Sequence, residues 1–386
     1  MKYMRKLCVL MALALLITAV AGCGLVKVDP EKDRQQVIAE VNGEQILKGE
    51  LLDIYAQYGI TEEQEKDASL KDQIKNLKLS ILEQLIIQEL LEQKAKEAGY
   101  TMSDEYRKEA QAIIDDFLKG QEELLKLQDE EEDPDRDYAK EAREDLLEQL
   151  EAMGVTEEEF IEKAAKDIMI DAFLKEITKE VEASEEEIQK YYNETLSAQK
   201  EDPASISPYD IVLYRPERAR VKHILIRLPD DQIKEYQSLV SQGKEDEAKE
   251  YLDEKLEAIK PKAMEVLEKA KAGEDFDALI EAYGEDPGMV DNEEGYEVFE
   301  DSGMIEEFEQ ASLSLKDGEI SDLVGGMYGY HIIKRYETLA EETVTLDEVR
   351  DEIKEMLDTE KKNQEISAKI EAWQKEANIK RYEKRI

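Results

Sequence analysis

The chain is short of several residue types at once. Of 386 residues, two are cysteine, two are histidine and one is tryptophan, and aromatics make up 6%. Both cysteines, Cys8 and Cys23, lie near the start. The rest of the sequence therefore has no thiol for a disulfide framework, a thiolate nucleophile or a cysteine zinc site. Two histidines make a poor metal centre unless carboxylates stand at ligand spacing beside them, and none does. No phosphate-cradling glycine loop, dinucleotide fingerprint or nucleophile turn occurs, which excludes the usual nucleotide-binding and serine-hydrolase patterns. Positive charge is scarce too: 52 Lys and Arg face 96 Asp and Glu, a formal net charge of −44. Nucleic acid and anionic membrane surfaces repel such a chain. Basic or unfolded polypeptides suit it, and so does the plainer reading of a solvated acidic surface.

What the chain does have is charge and helix pattern. Charged residues are 38% and hydrophobic residues 41% of the whole, enough apolar content for burial. The length indicates two or three domains. The first residues are a leader: Lys2, Arg5 and Lys6 precede an apolar run, Leu7 to Val20, that is too short to span a bilayer comfortably. The run ends in Val20-Ala21-Gly22-Cys23. Small residues before a cysteine resemble the lipobox of bacterial lipoproteins. That resemblance implies that residues 1–22 are a signal peptide, that Cys23 is lipidated, and that 23–36 is a tether. An ordinary signal peptide with a chance cysteine is the alternative.

Residues 37–47 alternate around Asn42-Gly43, a dipeptide suited to a tight hairpin turn, and a helix follows from Gly49. Ser or Thr three residues before Glu or Gln at Thr61, Thr156, Ser184 and Thr345 marks helix starts. Ile74, Leu77, Ile81, Leu82, Leu85, Ile86, Leu90 and Leu91 recur at three and four, predicting a helix from Leu70 to Ala98 stopped by Gly99. Further helices are expected over Ser103–Leu127 and Tyr138–Met153. The acidic run 129–137 between them lacks the glycine and spaced ligands of a calcium loop and reads as a linker. Pro203, Pro208 and Pro216 mark the clearest boundary. Helical pattern returns over 231–272 and Phe276–Tyr283, turns fill 284–301, and Met304–Leu315 is a last short helix. Beyond Glu337 a long helix runs through Val349, Ile353, Leu357, Ile366, Ile370 and Trp373 to about Ala377, followed by a strand candidate, Ile379–Ile386. One apolar stripe cannot stand alone in water, so this helix is expected to pack back on the N-terminal helices.

The two histidines head or occupy apolar, strand-like runs: Val221-Lys222-His223-Ile224-Leu225-Ile226 and Gly325-Gly326-Met327-Tyr328-Gly329-Tyr330-His331-Ile332-Ile333-Lys334. Taken by themselves, these residues support a compact domain of helices and strands whose histidines are as well suited to a core as to a reaction. Met304 and Phe308 are likewise at ordinary core spacing.

The ordered motifs between the histidines go further. The His223 strand, Gly273–Leu279, Tyr283-Gly284-Glu285-Asp286, Met304–Glu309, Leu315–Ser321 and Tyr328–Lys334 resemble, in sequence and spacing, the parvulin-type peptidyl-prolyl isomerases. The resemblance covers about Arg218 to Tyr336. It implies a four-stranded antiparallel sheet with surrounding helices and a reaction without cofactor or metal. His223, Asp286 and His331 would then be the catalytic residues, and Tyr296, Phe299, Met304, Phe308 and Tyr328 would line the substrate pocket. Two departures stand out. Glu294-Gly295-Tyr296-Glu297-Val298-Phe299 replaces the family's Gly-Asp-Leu-Gly run before an aromatic, placing Tyr296 where a leucine is expected. About thirty residues, 231–260, are inserted after the first strand.

The flanks resemble the PrsA and SurA class of extracytoplasmic foldases. The implied fold class is α+β: the parvulin-like sheet inserted in a mainly helical SurA-N-like chaperone domain. Its parts would be 37–200 (helical chaperone part), 201–217 (linker), 218–337 (isomerase domain) and 338–386 (helix and strand returning to the chaperone part). The implied function is a foldase, lipid-anchored through Cys23 on the extracytoplasmic face of the cell membrane, that isomerises X-Pro bonds in newly exported or unfolded polypeptides. Nucleic acid is excluded as a partner, and a homodimer is admitted. The alternative is a non-catalytic holdase with a degenerate parvulin domain. A surface adhesin or solute-binding lipoprotein fits less well, because the repeating α/β pattern of a closing receptor is missing.

Overall fold

The structure, a computed structural model, describes residues 30–129, 136–152, 154–207, 209–290 and 292–386. Cys23, the leader and the lipobox lie outside them. Pro30–Arg34 (α1) is helical and is held to the helix that follows by Arg34–Asp53 (2.5 Å) and Lys48–Asp33 (2.9 Å) ion pairs, so the end of the expected tether is docked. Strands β1 (Val37–Val41) and β2 (Glu44–Leu47) form the hairpin. Asn42 and Gly43 have φ of 52° and 103°, the left-handed pair that this turn demands. Helices α2 (Lys48–Ala56), α3 (Glu62–Lys66), α4 (Lys71–Glu97), α5 (Asp104–Gln128), α6 (Tyr138–Ala152), α7 (Glu157–Ile177) and α8 (Glu185–Glu201) follow. At Thr61, Thr156 and Ser184 the side chain accepts from the N3 amide while the N3 side chain accepts from or binds the cap amide.

Next come β3 (Tyr214–Arg215), β4 (Arg218–Arg227), α9 (Asp230–Ser241), α10 (Glu245–Lys271), α11 (Phe276–Tyr283), β5 (Tyr296–Val298), α12 (Glu306–Ser314), β6 (Val324–Gly326), β7 (Gly329–Leu339) and β8 (Glu342–Thr343). Helix α13 (Leu346–Glu376) and strand β9 (Ile379–Arg381) close the order. The terminal strand is shorter than its pattern, because Glu383–Arg385 turns into a 3-10 segment.

By contacts the chain divides into two units. One runs to Glu182 and resumes over Asp358–Ile386; the other is Ala183–Leu357. In the first, β1 is the central strand of a three-stranded antiparallel sheet, β2-β1-β9. Ile38, Val41, Leu51, Ile81, Leu82, Ile86 and Leu90 are buried there to 1% exposure or less. Trp373 of α13 packs against this core and stacks on Phe173 of α7, with centroids 6.0 Å apart and planes at 27°.

In the second unit the sheet order is β5-β4-β7-β6, antiparallel throughout, the four strands expected. Alternate residues sort to opposite faces. Ile224, Ile226 and Ile332 meet Ala263, Val266 and Leu267 of α10 and Phe276 and Leu279 of α11. Val221, Val298 and Ile333 meet Phe308 of α12. The inserted residues form α9 and the first part of α10, broken at Gly243 (φ 72°). Their apolar side, Ile233, Leu252 and Leu256, is covered by Leu228, Met327 and Tyr330. A smaller core joins Ile188 of α8, Ile211 and Leu213 with Val349 and Ile353 of α13.

Candidate active site

The register of β4 against β7 places His223 opposite Ile333 and His331 opposite Leu225. The two histidines are therefore diagonal neighbours on one face of the sheet, close enough for side chains to touch. Their rings stack with centroids 5.0 Å apart and planes at 11°, and the two Nδ1 atoms are 2.9 Å apart. Each is only 4% exposed.

Asp286 reaches the pair from the loop after α11. That loop is tied to β4: the Glu285 amide donates to the Leu225 carbonyl (3.0 Å), and the Arg227 amide donates to Glu285 Oε2 (2.7 Å). The Asp286 carboxylate receives three donors. The Gly288 amide reaches Oδ1 at 3.0 Å; His223 Nε2 and the Tyr296 hydroxyl reach Oδ2 at 2.7 and 2.8 Å. The His223 contact, then Gly288 and Tyr296, outweigh partial burial and lower the Asp286 pKa to about 2. At neutral pH the group is a carboxylate and accepts only, so His223 Nε2 carries a proton. Burial first, and the neighbouring His223 second, lowers His331 to about 3. A neutral His331 carries one ring proton. When His223 is also neutral, that proton lies on Nδ1 and points at His223 Nδ1, leaving His331 Nε2 as a bare acceptor. Among the described residues this buried Nε2 has no partner.

Phe308 closes the face. Its ring stands edge-on to His223 (5.0 Å, 78°), His331 (5.3 Å, 68°) and Tyr296 (6.4 Å, 90°). Met304 packs half-buried against the same apolar group. Burial and the bond to Asp286 push the Tyr296 phenol well above its ordinary pKa, so it stays protonated.

The structure thus joins His223, Asp286, His331, Tyr296, Met304 and Phe308. Phe299 is half-buried one residue beyond β5. Tyr328 sits on the β6–β7 turn, 37% exposed, outside this group of stacked rings. Further contributors were not expected from the sequence. A Cβ on Gly326 would lie 2.7 Å from Ile305 Cδ1 and one on Gly325 3.0 Å from Leu256 Cδ1, so the glycine pair lets both side chains press on β6. The Gly325-Gly326 doublet was the available signal. Among the described residues no cluster of three or more His, Cys, Asp or Glu is placed to hold a metal ion.

The site therefore presents a chain of hydrogen bonds, tyrosine to half-buried carboxylate to two buried histidines, under an aromatic and aliphatic wall. Its carboxylate cannot release a proton near neutrality; it offers fixed negative charge. The first unit holds a different concavity, a cavity of about 950 Å³ lined among others by Ile54, Leu85, Glu89, Met102, Val155 and Lys163.

Comparison with known proteins finds two domain families and several relatives. Residues 212–338 match the model of the PPIC-type PPIase domain, and residues 2–126 match that of the SurA-like N-terminal domain. The foldase protein PrsA of Clostridium botulinum is 30% identical over 399 residues, covering 100% of each chain. That of Clostridium kluyveri is 28% identical over 402 residues, again covering 100% of each. Among solved structures, PrsA from Bacillus subtilis is 21% identical and covers 89% of this chain and 91% of its own, with a TM-score of 0.22, too low to bear on the arrangement of parts.

Proposed function

This chain belongs to the PrsA foldase family, and from that premise we propose that its PPIC-type domain catalyses cis-trans isomerisation of X-Pro bonds in exported polypeptides. The observation that carries the reading is the Asp286–His223–His331 chain beneath Phe308. Rotation about an X-Pro amide faces a barrier of about 20 kcal/mol from C–N double-bond character. A site that grips the proline ring while the preceding carbonyl turns favours the twisted state over either planar one. Met304, Phe308 and the edge of Tyr296 supply the apolar grip, with Phe299 and Tyr328 at its margin. The histidine pair holds that wall and Asp286 in register, and the Asp286 charge acts on the turning carbonyl. No covalent intermediate and no cofactor enter.

The mature chain should accelerate a refolding reaction limited by proline isomerisation. His223→Ala and Asp286→Ala should each lower kcat/KM about tenfold or more, as expected when a charge-assisted hydrogen bond is removed. Equal refolding rates with and without the wild-type chain end the catalytic reading.

The same reading places the protein outside the cytoplasm on a lipid anchor at Cys23. No described helix is long and apolar enough to cross a membrane. Cys23→Ser should shift the protein from the membrane fraction to the medium and abolish labelling by a fatty-acid analogue; retention of both by the variant overturns the anchor.

A second reading, a holdase whose isomerase site is degenerate, is favoured by the departures at Tyr296 and Glu297 and by the cavity of the first unit. Glu297 binds Arg218 (2.5 Å) and Arg220 (3.3 Å) rather than opening the loop. It predicts that suppression of client aggregation survives Met304→Ala and Phe308→Ala and that refolding acceleration is absent in the wild type.

A further inference from the structure

We propose that Tyr296 is a positioning residue of the isomerase site: its hydroxyl fixes the Asp286 carboxylate against His223, a duty a leucine at this position could not perform. The inference rests on the isomerase reading above.

Asp286 sits on an exposed loop, with its side chain 19% exposed. A carboxylate bound only by His223 and its own turn amide has two carbon–carbon torsions free to swing it into water. The Tyr296 hydroxyl removes that freedom. It donates to the same oxygen, Oδ2, that His223 Nε2 engages. The phenol comes from β5, whose Tyr296 pairs with Val221 two residues before His223, so donor and histidine share one rigid strand pair. Its ring is locked edge-on to both His223 and Phe308.

The local sequence makes room for this contact at two glycines. A Cβ on Gly288 would lie 2.1 Å from the Tyr296 hydroxyl. A Cβ on Gly295 would lie 2.4 Å from the Val221 carbonyl, and Gly295 has φ of 81°. Gly288 lets the phenol reach the carboxylate; Gly295 lets the loop enter β5 against β4. The residue that departs from the family pattern is thus built in from both sides. Because the hydroxyl is engaged by Asp286 while the ring edge supplies the grip, removal of the hydroxyl alone should act on kcat rather than KM.

The test uses the mature chain in a tetrapeptide and a protein refolding assay, with Tyr296→Phe, Gly288→Ala and their double variant. Tyr296→Phe keeps the ring and should lower kcat about tenfold with KM unchanged, the loss expected of one hydrogen bond to a charged group. Gly288→Ala leaves the hydroxyl in place chemically but pushes it off Asp286, and should show the same kcat defect. In the double variant the two effects should not add, since one contact cannot be lost twice. The His223 Nε2–H resonance should exchange slowly in the wild type and broaden in both single variants; a merely structural tyrosine would leave it sharp. Wild-type kcat in Tyr296→Phe, or additive losses in the double variant, overturns the inference while leaving the isomerase reading intact. A wild-type chain with no isomerase activity overturns both.

Discussion

Burial beside His223 holds the His331 pKa near 3 instead of 6.5, and that sets a direction for pH dependence. Between those values the unfolded chain binds a proton that the folded chain refuses. The stability contributed at this position is present above pH 6.5 and is lost as the pH falls through the window toward 3. Asp286 acts lower: its folded value of about 2 lies under the ordinary 3.8, so its contribution is full above 3.8 and lost as pH falls toward 2. The second unit should therefore lose stability on the order of a few kcal/mol between pH 6.5 and 3. In His331→Asn that slope should flatten, read as the urea midpoint of the β4–β7 amide signals at each pH. A slope unchanged by the substitution assigns the loss elsewhere. Phe308 is 3% exposed at the centre of the ring group, and Phe308→Ala should cost about 3–4 kcal/mol by the same urea measurement.

The strand pair β4–β7 is the element on which the site depends, and it turns on one residue. Gly329 opens β7 with φ of 138°, and a Cβ there would lie 2.1 Å from the Ile226 carbonyl. Gly329→Ala should destabilise the second unit by about 2 kcal/mol or more and, by moving His331, should also reduce isomerisation at temperatures where the chain remains folded. Gly318→Ala, also at positive φ but with open space around its Cβ, is the control expected to leave the rate untouched. At this scale much could be read from the sequence. Helix starts were visible because the capping residues at Thr61, Thr156, Ser184 and Thr345 act locally, and the hairpin was visible because Asn42-Gly43 specifies its own turn. The meeting of His223 with His331 was different. Alternation shows that each lies on a strand face, but which faces coincide depends on register across 108 positions; only the family resemblance supplied it. The Tyr296–Asp286 bond was illegible for a further reason. It depends on the close approaches that the missing Cβ atoms at Gly288 and Gly295 allow rather than on any periodic pattern.

For the whole molecule, the sheet of the first unit is completed by a strand from the other end of the chain. β9 pairs Ile379 with Val41, Lys380 with Glu40 and Arg381 with Ala39. Outside the ladder, Tyr382 donates to Glu40 across 342 positions and Arg381 binds Glu83 at 2.6 Å. Removing residues 379–386 should lower the melting temperature of the first unit and red-shift the emission of Trp373, the single tryptophan, while wild-type proline isomerisation is retained. An unshifted emission would mean that β9 contributes little to that core. The pattern in the sequence marked Ile379 onward as strand but could not name its partner, since a two-residue alternation carries no address. This pairing also has a kinetic side. Closing a loop costs entropy that grows only as the logarithm of its length, about 0.6 kcal/mol for each doubling, so distance alone does not forbid the contact. What it fixes is order: β1 must wait with an open edge until β9 has been made, whereas every partner of β4 lies within its own unit. A chain emerging from its N-terminal end can finish the inserted sheet while the outer one is still unpaired. For that interval the foldase is itself an incompletely folded polypeptide, with an unprotected strand edge of the kind that invites association.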